Sequence, residues 1–353
     1  MKKIIYGICG IGLGHTHRQL PIISHLAKNH KIALFAYFDS LHFYQNHFKN
    51  HPHVKVIQVA TPYMGGTVDG LDFNQIQNDP RNQQDFFGIS SKAFAEAQQF
   101  IGAPDLAISD YEPNAAQYAY MYNVPLYTLD QHSKYIVGDF PEALNGFSGK
   151  EDVQRLRMFF PKAEKRIIFS PFGFSVSPQN AENIAIVKPI LKASITQGRR
   201  NKTKNSYVCY LSAHEIFSQT PDEVLSLLGQ FSDIRFDVYL KKPIRHQAPN
   251  VNVYAHGDPS FEENLLRAEG LICSAGHSLP VEAAYLGVPM FAVPLPTYEQ
   301  HMNAEMIVQN GLGLKANTLT PQGLADFFEF AQNFTPRPMH KTTAAEVCAL
   351  MGL

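Results

Sequence analysis

Residues 271–305 read LICSAGHSLPVEAAYLGVPMFAVPLPTYEQHMNAE, and this stretch decides how the rest of the chain is read. In order it predicts a short apolar strand (Leu271 to Ser274), a small-residue turn, a helix of about two turns, a Gly-Val-Pro stop, a second apolar strand and a polar loop. Ser278 is placed to cap the helix, and Pro280 falls in its first turn, where a missing N–H costs nothing. Gly287 takes the position of a left-handed C-terminal cap, and Pro289 keeps the helix from continuing. The outcome is a helix N-terminus, opened by Ala275-Gly276-His277, at the carboxyl end of a strand. Its N–H groups and dipole make an anion site, and phosphate is the usual anion. Glu282 lies four residues beyond Ser278 on the same helix face. A carboxylate one turn below a phosphate site suits the vicinal hydroxyls of a ribose.

Outward from this stretch, strand and helix alternate on both sides. In the first half the strand-like runs are Ile4–Ile8, Ile32–Tyr37, Val54–Val59, Leu106–Ser109 and Leu126–Leu129. They are near-continuous apolar segments of the kind found in buried parallel sheets. Between them lie helical patterns, Gln19–His30 with Leu20, Ile23 and Leu26-Ala27 on one face, and Pro113–Tyr122. A polar excursion, Tyr63–Phe87, interrupts the alternation with Gly65-Gly66, Gly70 and Asp79-Pro80, and excursions of this length are usually functional or mobile. From Ser133 to Val176 only Lys165–Phe169 reads as a strand. Lys192–Asn205 (KASITQGRRNKTKN) is polar and aperiodic, so it reads as a linker. Beyond it come strands Tyr207–Leu211, Phe236–Leu240 and Val251–Tyr254, a helix after Thr220-Pro221 and a helix through Phe261–Arg267. The fold class expected is α/β, with two facing Rossmann-like domains and a cleft between them. Their bounds are 1–190 and 206–340, joined by a linker at 191–205 and followed by a terminal helix at 341–353.

Composition narrows the partners. The chain has 353 residues, is 45% hydrophobic and 17% charged, and carries a formal net charge of −1. No basic run is longer than Arg199-Arg200 and its neighbours, so nucleic acid is not signalled as a partner. Cys9, Cys209, Cys273 and Cys348 form no CxxC pair, which points to a reduced, cytoplasmic protein without structural zinc. The start, MKKIIYGICG, resembles a signal peptide, but Gly12, Gly14, His15 and Arg18 break the apolar run, and a first strand is the better reading. No run of 18 apolar residues exists to span a membrane. The basic stretch RLRMFFPKAEKR (155–166) would allow peripheral contact with a membrane at most, and a half-buried amphipathic helix explains it more simply.

Several strand ends carry chemistry. The first strand runs into Gly10-Ile11-Gly12-Leu13-Gly14-His15-Thr16-His17-Arg18. Glycines there let a backbone approach a ligand and let a helix start tightly against the sheet. As a dinucleotide fingerprint the run fails, because the third glycine of G-x-G-x-x-G falls on His15. Asp39, at the end of the second strand, keeps a nicotinamide-dependent enzyme as an alternative. Asp110 and Glu112 (AISDYEP) follow the fourth strand, and a carboxylate there can orient His15 to remove a hydroxyl proton. Capping the helix that begins at Pro113 is the other role open to either acid. Asp130-Gln131-His132 ends the next strand and lines the same wall. No D-x-D occurs and His15-Thr16-His17 chelates poorly, so no metal is expected. In the second half, Ser212-Ala213-His214 is placed to meet a diphosphate, His256-Gly257-Asp258 to form a wall for a base, and Tyr298-Glu299-Gln300 to bond sugar hydroxyls.

GIGLGHTHR and SAGHSLPVEAAYLGVPMFAVPLPTYEQHMNA together resemble the GT-B glycosyltransferases, in particular the MurG-like group. The segments SDYEPNAAQYAYMYNVPLYTLDQH and VKPIL also resemble a less characterised branch of transferases of the same architecture. The second motif is similar to the family's G-x(5)-E helix and [DE]-Q-x-x-N-A segment, with Ser274-Ala275-Gly276 where the family often has two or three glycines. The resemblance implies a glycosyltransferase that moves a sugar from a UDP-linked donor to an acceptor hydroxyl, inverting and metal-independent. It implies a donor site built from Gly12, Gly14, Ser212, His256, Gly276, His277, Ser278, Glu282, Glu299 and Gln300, and a catalytic group of His15, Asp110 and Glu112. No cofactor is implied, because the nucleotide sugar is a substrate. The acceptor, whether glycan, lipid-linked or small molecule, is not specified. A sugar-nucleotide epimerase, a nicotinamide-dependent enzyme and a non-catalytic nucleotide-sugar-binding protein are the alternatives.

Overall fold

The structure is a computed structural model that describes residues 1–11, 13–67, 69–178, 183–211 and 219–353. The chain divides into two compact units, Met1–Ile190 with Lys341–Leu353, and Leu191–His340.

The first unit runs β1 (Lys3–Ile8), α1 (Leu13–Leu26), β2 (Lys31–Ala36), α2 (Phe38–His47), β3 (Val54–Gln58), α3 (Phe86–Ile101), β4 (Leu106–Asp110), α4 (Pro113–Tyr122), β5 (Leu126–Asp130), α5 (Lys150–Phe159), β6 (Lys165–Phe169) and β7 (Ile184–Val187). The sheet order is β7-β6-β5-β4-β1-β2-β3, and every pairing is parallel. Ile4, Tyr6 and Ile8 on β1 share a core with Ile22, Ile23 and Leu26 on α1. Ile5 and Gly7 on the opposite face of β1 are buried as well, and burial on both faces explains the continuous apolar runs.

Two segments differ from the sequence expectation for identifiable reasons. Helix α1 starts at Leu13 rather than Gln19 and holds Pro21 inside it. A proline there removes an internal bond, but the early turns are pinned from outside. Tyr44 OH donates to Thr16 O at 2.7 Å, Tyr6 OH donates to Gln19 Oε1 at 2.6 Å, and Gln19 Nε2 donates to Leu129 O at 2.9 Å. The polar excursion at 63–87 is largely structured as well. It holds a two-stranded hairpin (Gly66–Thr67 with Gly70–Leu71), a helix Phe73–Asn78, a 3-10 turn Pro80–Asn82 and the start of α3. Asp72, Asp79 and Asp85 are the N-caps of those helices.

The second unit runs β8 (Ser206–Tyr210), α6 (Pro221–Gly229), β9 (Arg235–Leu240), β10 (Val251–Ala255), α7 (Ser260–Arg267), β11 (Gly270–Cys273), α8 (Ser278–Leu286), β12 (Met290–Ala292), α9 (Tyr298–Gln309), β13 (Gly313–Lys315) and α10 (Pro321–Asn333). Its parallel sheet has the order β10-β9-β8-β11-β12-β13. The stretch read as a linker packs within this unit. Ile195 is fully buried, and the N–H groups of Asn201 and Thr203 donate to Leu266 O and Arg267 O at the end of α7. Pairing its backbone there lets it pack without apolar periodicity. Helix α11 (Ala344–Ala349) returns to the first unit, where Val347, Cys348 and Met351 join the core around β1.

Each sheet is doubly wound, with a reversal of strand order beside its first strand, so the α/β class with two Rossmann-like domains is the one found. No helix among the described residues is long and apolar enough to cross a membrane.

Candidate functional site

In the first unit the strand order reverses at β1, between β2 and β4, and ligands of open α/β sheets bind outside the carboxyl ends at such a point. Strand β1 leads into α1, whose first turn carries Gly14 and His15. Strand β4 ends on Asp110, directly opposite Ile8. His15 Nδ1 lies 3.0 Å from Asp110 Oδ1. Arg18, three residues along α1 on the same face, donates from Nη2 to both carboxylate oxygens at 3.1 and 3.0 Å, and that nitrogen is 2.9 Å from His15 Nδ1. Asp110 is fully buried and Arg18 nearly so, whereas the His15 side chain keeps 14% of its surface exposed. Burial pushes the Asp110 pKa up, but the charge of Arg18, with the hydrogen bonds from His15 and Gln19, outweighs it and holds the carboxyl at about 2. An ionised carboxylate only accepts, so the bond to Asp110 takes Nδ1–H and leaves the lone pair of the neutral ring on Nε2; Arg18 Nη2, itself only a donor, is then bonded to the carboxylate and not to Nδ1. A histidine held in this way can act as a general base.

Other residues expected here are placed differently. Glu112 is turned into the N-cap of α4. Its Oε1 accepts from Asn114 N at 2.8 Å and its Oε2 from Ala115 N at 2.8 Å, which takes it out of the pair with His15. Burial raises its pKa to about 7. Gly10 serves the fold, since a Cβ there would lie 2.2 Å from Tyr37 O. Asp130 accepts from Ser133 N and Oγ at 2.6 and 2.9 Å, closing its own turn. Gly12 falls outside the described residues.

Tyr111, between Asp110 and Glu112, has φ +57°. For a bulky side chain this is strained backbone, costing about 1–3 kcal/mol. Its ring stacks on His132 at 4.3 Å, and His132 in turn lies parallel to His15 at 6.1 Å with 5° between the planes.

In the second unit the reversal lies at β8, between β9 and β11. Strand β11 ends at Cys273, and Ser274-Ala275-Gly276-His277 leads into α8. His277 is the N-cap, with φ −84° and ψ −49° and no capping side-chain bond. Ser278 is therefore the first helical residue rather than the cap, and the His277 side chain makes no capping bond. Gly276 has no positive φ, and a Cβ there would meet nothing within 4 Å. The fold does not require a glycine at this point; close approach of a ligand would. Gly287 contrasts with it: φ is +67° and a Cβ would lie 2.6 Å from Pro336, as a left-handed cap demands. Asn303 Nδ2 donates to Ala275 O at 3.0 Å and ties α9 to the turn. Glu282 is buried one turn into α8, and its carboxylate is 3.5 Å from Lys192 Nζ. Burial raises its pKa, against the opposing charge of Lys192.

Glu299 and Gln300 were expected on a loop but lie in the first turn of α9. Thr297 is the N-cap and accepts from Gln300 N at 3.4 Å, while Gln300 Oε1 accepts from Leu295 N at 2.9 Å. Thr297-Tyr-Glu-Gln300 has the spacing of a capping box, a signal present in the sequence. On the other side of β8, His256 Nε2 donates to Leu211 O at 2.9 Å, and its ring stacks on Tyr210 at 4.4 Å. Burial lowers its pKa. Ser212, with Ala213 and His214, falls outside the described residues. Among the described residues no group of three or more His, Cys, Asp or Glu is arranged to hold a metal ion. Arg18, Tyr111 and Asn303 were given no role from sequence. The i, i+3 spacing of His15 and Arg18 pointed to the first, and the [DE]-Q-x-x-N-A segment contains Asn303.

Glycosyl transferase family 1 matches residues 2–331. An uncharacterized glycosyltransferase of Methanopyrus kandleri is 42% identical over 78 residues, which are 20% of this chain and 23% of that protein. The chain thus spans less than a quarter of the length of that curated relative. Among solved structures, the glycotransferase of kitacinnamycin superposes with a TM-score of 0.65 at 16% identity, covering 100% of this chain and 94% of that one. LpCGTa, solved in complex with UDP, gives 0.64 at 13% identity, with coverage of 100% and 94%. At these identities the likeness is one of fold, the GT-B architecture of two Rossmann-like domains.

Proposed function

This chain belongs to glycosyl transferase family 1, and on that premise we propose that it moves a sugar from a nucleoside diphosphate carrier to an acceptor hydroxyl, inverting the anomeric carbon without a metal ion. The observation that carries the proposal is the His15–Asp110 pair, a histidine with a buried anionic partner at the carboxyl end of β1. In the reaction His15 Nε2 takes the proton of the acceptor hydroxyl as its oxygen attacks the anomeric carbon. The bond from that carbon to the diphosphate breaks, and the diphosphate leaves with the electron pair. Asp110 stays ionised and stabilises the imidazolium that forms.

On the donor side, the N-terminus of α8 at Gly276, His277 and Ser278 receives the diphosphate. Its N–H groups supply charge stabilisation of the kind a metal supplies elsewhere. Glu282 accepts from the ribose hydroxyls. Because Gln300 Oε1 is held by Leu295 N, its NH2 end is the donor offered to a sugar hydroxyl, with Glu299 beside it. His256 on its Tyr210 stack forms a wall for the base. UDP is the first carrier to test, since LpCGTa was solved with UDP. The spacing from Gly276 to Glu282 and from Gln300 to Asn303 supports a MurG-like choice of donor.

Calorimetric titration with UDP and UDP-glucose in EDTA tests the donor half. Saturable binding is expected, weakened about tenfold or more in Glu282→Ala. No binding to the wild type sinks the proposal. Interconversion of the donor without any acceptor would instead mark an epimerase.

A further inference from the structure

Asp130-Gln131-His132 ends β5, the neighbour of β4 in the sheet. That adjacency sets His132 beside Tyr111, the residue that follows Asp110. His132 is 8% exposed, and its Nδ1 is buried without a hydrogen-bond partner. Its ring is therefore located by its faces. One face lies on Tyr111, with 4.3 Å between centroids and 25° between planes. The same ring is parallel to that of His15, with 6.1 Å between centroids and 5° between planes, within the range of offset aromatic stacking. The outer end of this stack is braced. Tyr111 takes its strained φ of +57° and accepts from Arg155 Nη1 at 3.1 Å. Arg155 also donates from Nη2 to Met64 O at 2.7 Å and pairs with Glu151 on its own helix, α5.

The terminal torsion of a histidine is soft, because rotation about an sp³–sp² bond has broad wells. A single hydrogen bond to Asp110 fixes one point of the His15 ring and leaves its plane free to tilt. A flat neighbour parallel to that plane removes the tilt. We propose that His132 is a positioning residue, whose ring, backed by Tyr111, holds the His15 imidazole so that Nδ1 stays on Asp110 and Nε2 faces the acceptor. The proposal rests on the reading of His15 as the base. Burial holds His132 neutral, with a pKa lowered to about 3, so the stack adds no charge beside a base that must become cationic.

The test uses the full-length protein with 15N-labelled histidines, read by long-range 1H–15N NMR. Wild type is compared with His132→Ala and His132→Phe, and His15→Ala assigns the His15 signals. One sharp tautomer of His15, protonated on Nδ1, is expected in wild type. His132→Ala should raise the minor tautomer several-fold and broaden the signals, and His132→Phe, which keeps a flat face, should restore them. An unchanged His15 spectrum in His132→Ala overturns the proposal, as does a folded His132→Phe that fails to restore it. Release of UDP from UDP-glucose then separates the proposal from its premise. His132→Ala should lower kcat about tenfold with the donor KM unchanged, and should have no further effect in a His15→Ala background. Equal losses in both backgrounds overturn the positioning role and leave His15 as the base. Undiminished turnover in His15→Ala removes His15 as the base, while the NMR comparison still decides the stack.

Discussion

His15 Nδ1 and Asp110 Oδ1 lie 3.0 Å apart although 95 positions separate the two residues in the chain. The parallel register of β1 with β4, which sets Ile8 opposite Asp110, closes that gap. Arg18 keeps the carboxylate anionic at a pKa of about 2. Asp110→Asn should therefore lower kcat by about 10²–10⁴ with little change in the donor KM, because it removes the partner of the imidazolium. It also leaves the Arg18 charge buried and unpaired, which destabilises by about 3–5 kcal/mol. Steady-state UDP release, measured well below the unfolding temperature of both proteins, checks the first effect, and thermal unfolding checks the second.

Gly276 and Gly287 separate binding from folding. A Cβ at Gly276 meets nothing within 4 Å, whereas at Gly287 it meets Pro336 at 2.6 Å with φ at +67°. Gly276→Ala should leave Tm unchanged and weaken UDP binding about tenfold, because the added methyl fills space the diphosphate needs. Gly287→Ala should lower stability by about 1 kcal/mol or more with UDP affinity intact. Calorimetry and thermal melts on the two variants read both quantities, and the reverse pattern would dissociate Gly276 from the donor.

Much of this was legible in the sequence, and the failures share a cause. Strand β6, helix α4 and the left-handed Gly287 could be read because each is set by local periodicity or a local stop signal. Arg18 on Asp110, Asn303 on Ala275 and His132 on His15 depend on which strands are neighbours, which no local pattern carries. The start of α1 was misplaced because Pro21 argues for a later start, and the bonds that override it come from Tyr44, Tyr6 and Leu129. Glu112 could be read two ways from AISDYEP, and only the bonds from Asn114 and Ala115 decide for the cap.

Glu112 should leave a signature in pH-dependent stability. Burial raises its carboxyl from the ordinary value of 4.5 to about 7. The folded state then binds more protons than the unfolded state between those values, so stability falls as pH rises from about 4.5 to 7 and is level above. Glu112→Gln should flatten this slope and change kcat by no more than a few-fold. Denaturant melts of both proteins at pH 5 and pH 8 measure it. Identical pH slopes would remove Glu112 as the source.

The donor phosphates are assigned to helix N–H groups rather than to an ion. Turnover in EDTA should then equal turnover with added magnesium or manganese. Loss in EDTA with recovery on manganese would transfer the leaving-group role to a metal.

The central claim is a base-assisted, in-line displacement at the anomeric carbon, and the configuration of the product tests it most directly. Full-length protein is incubated with α-linked UDP-glucose and an acceptor selected by its stimulation of UDP release, and the glycoside is examined by 1H NMR. A β-linked product is the result expected of His15 and Asp110 acting on the acceptor hydroxyl. An α-linked product would contradict the account.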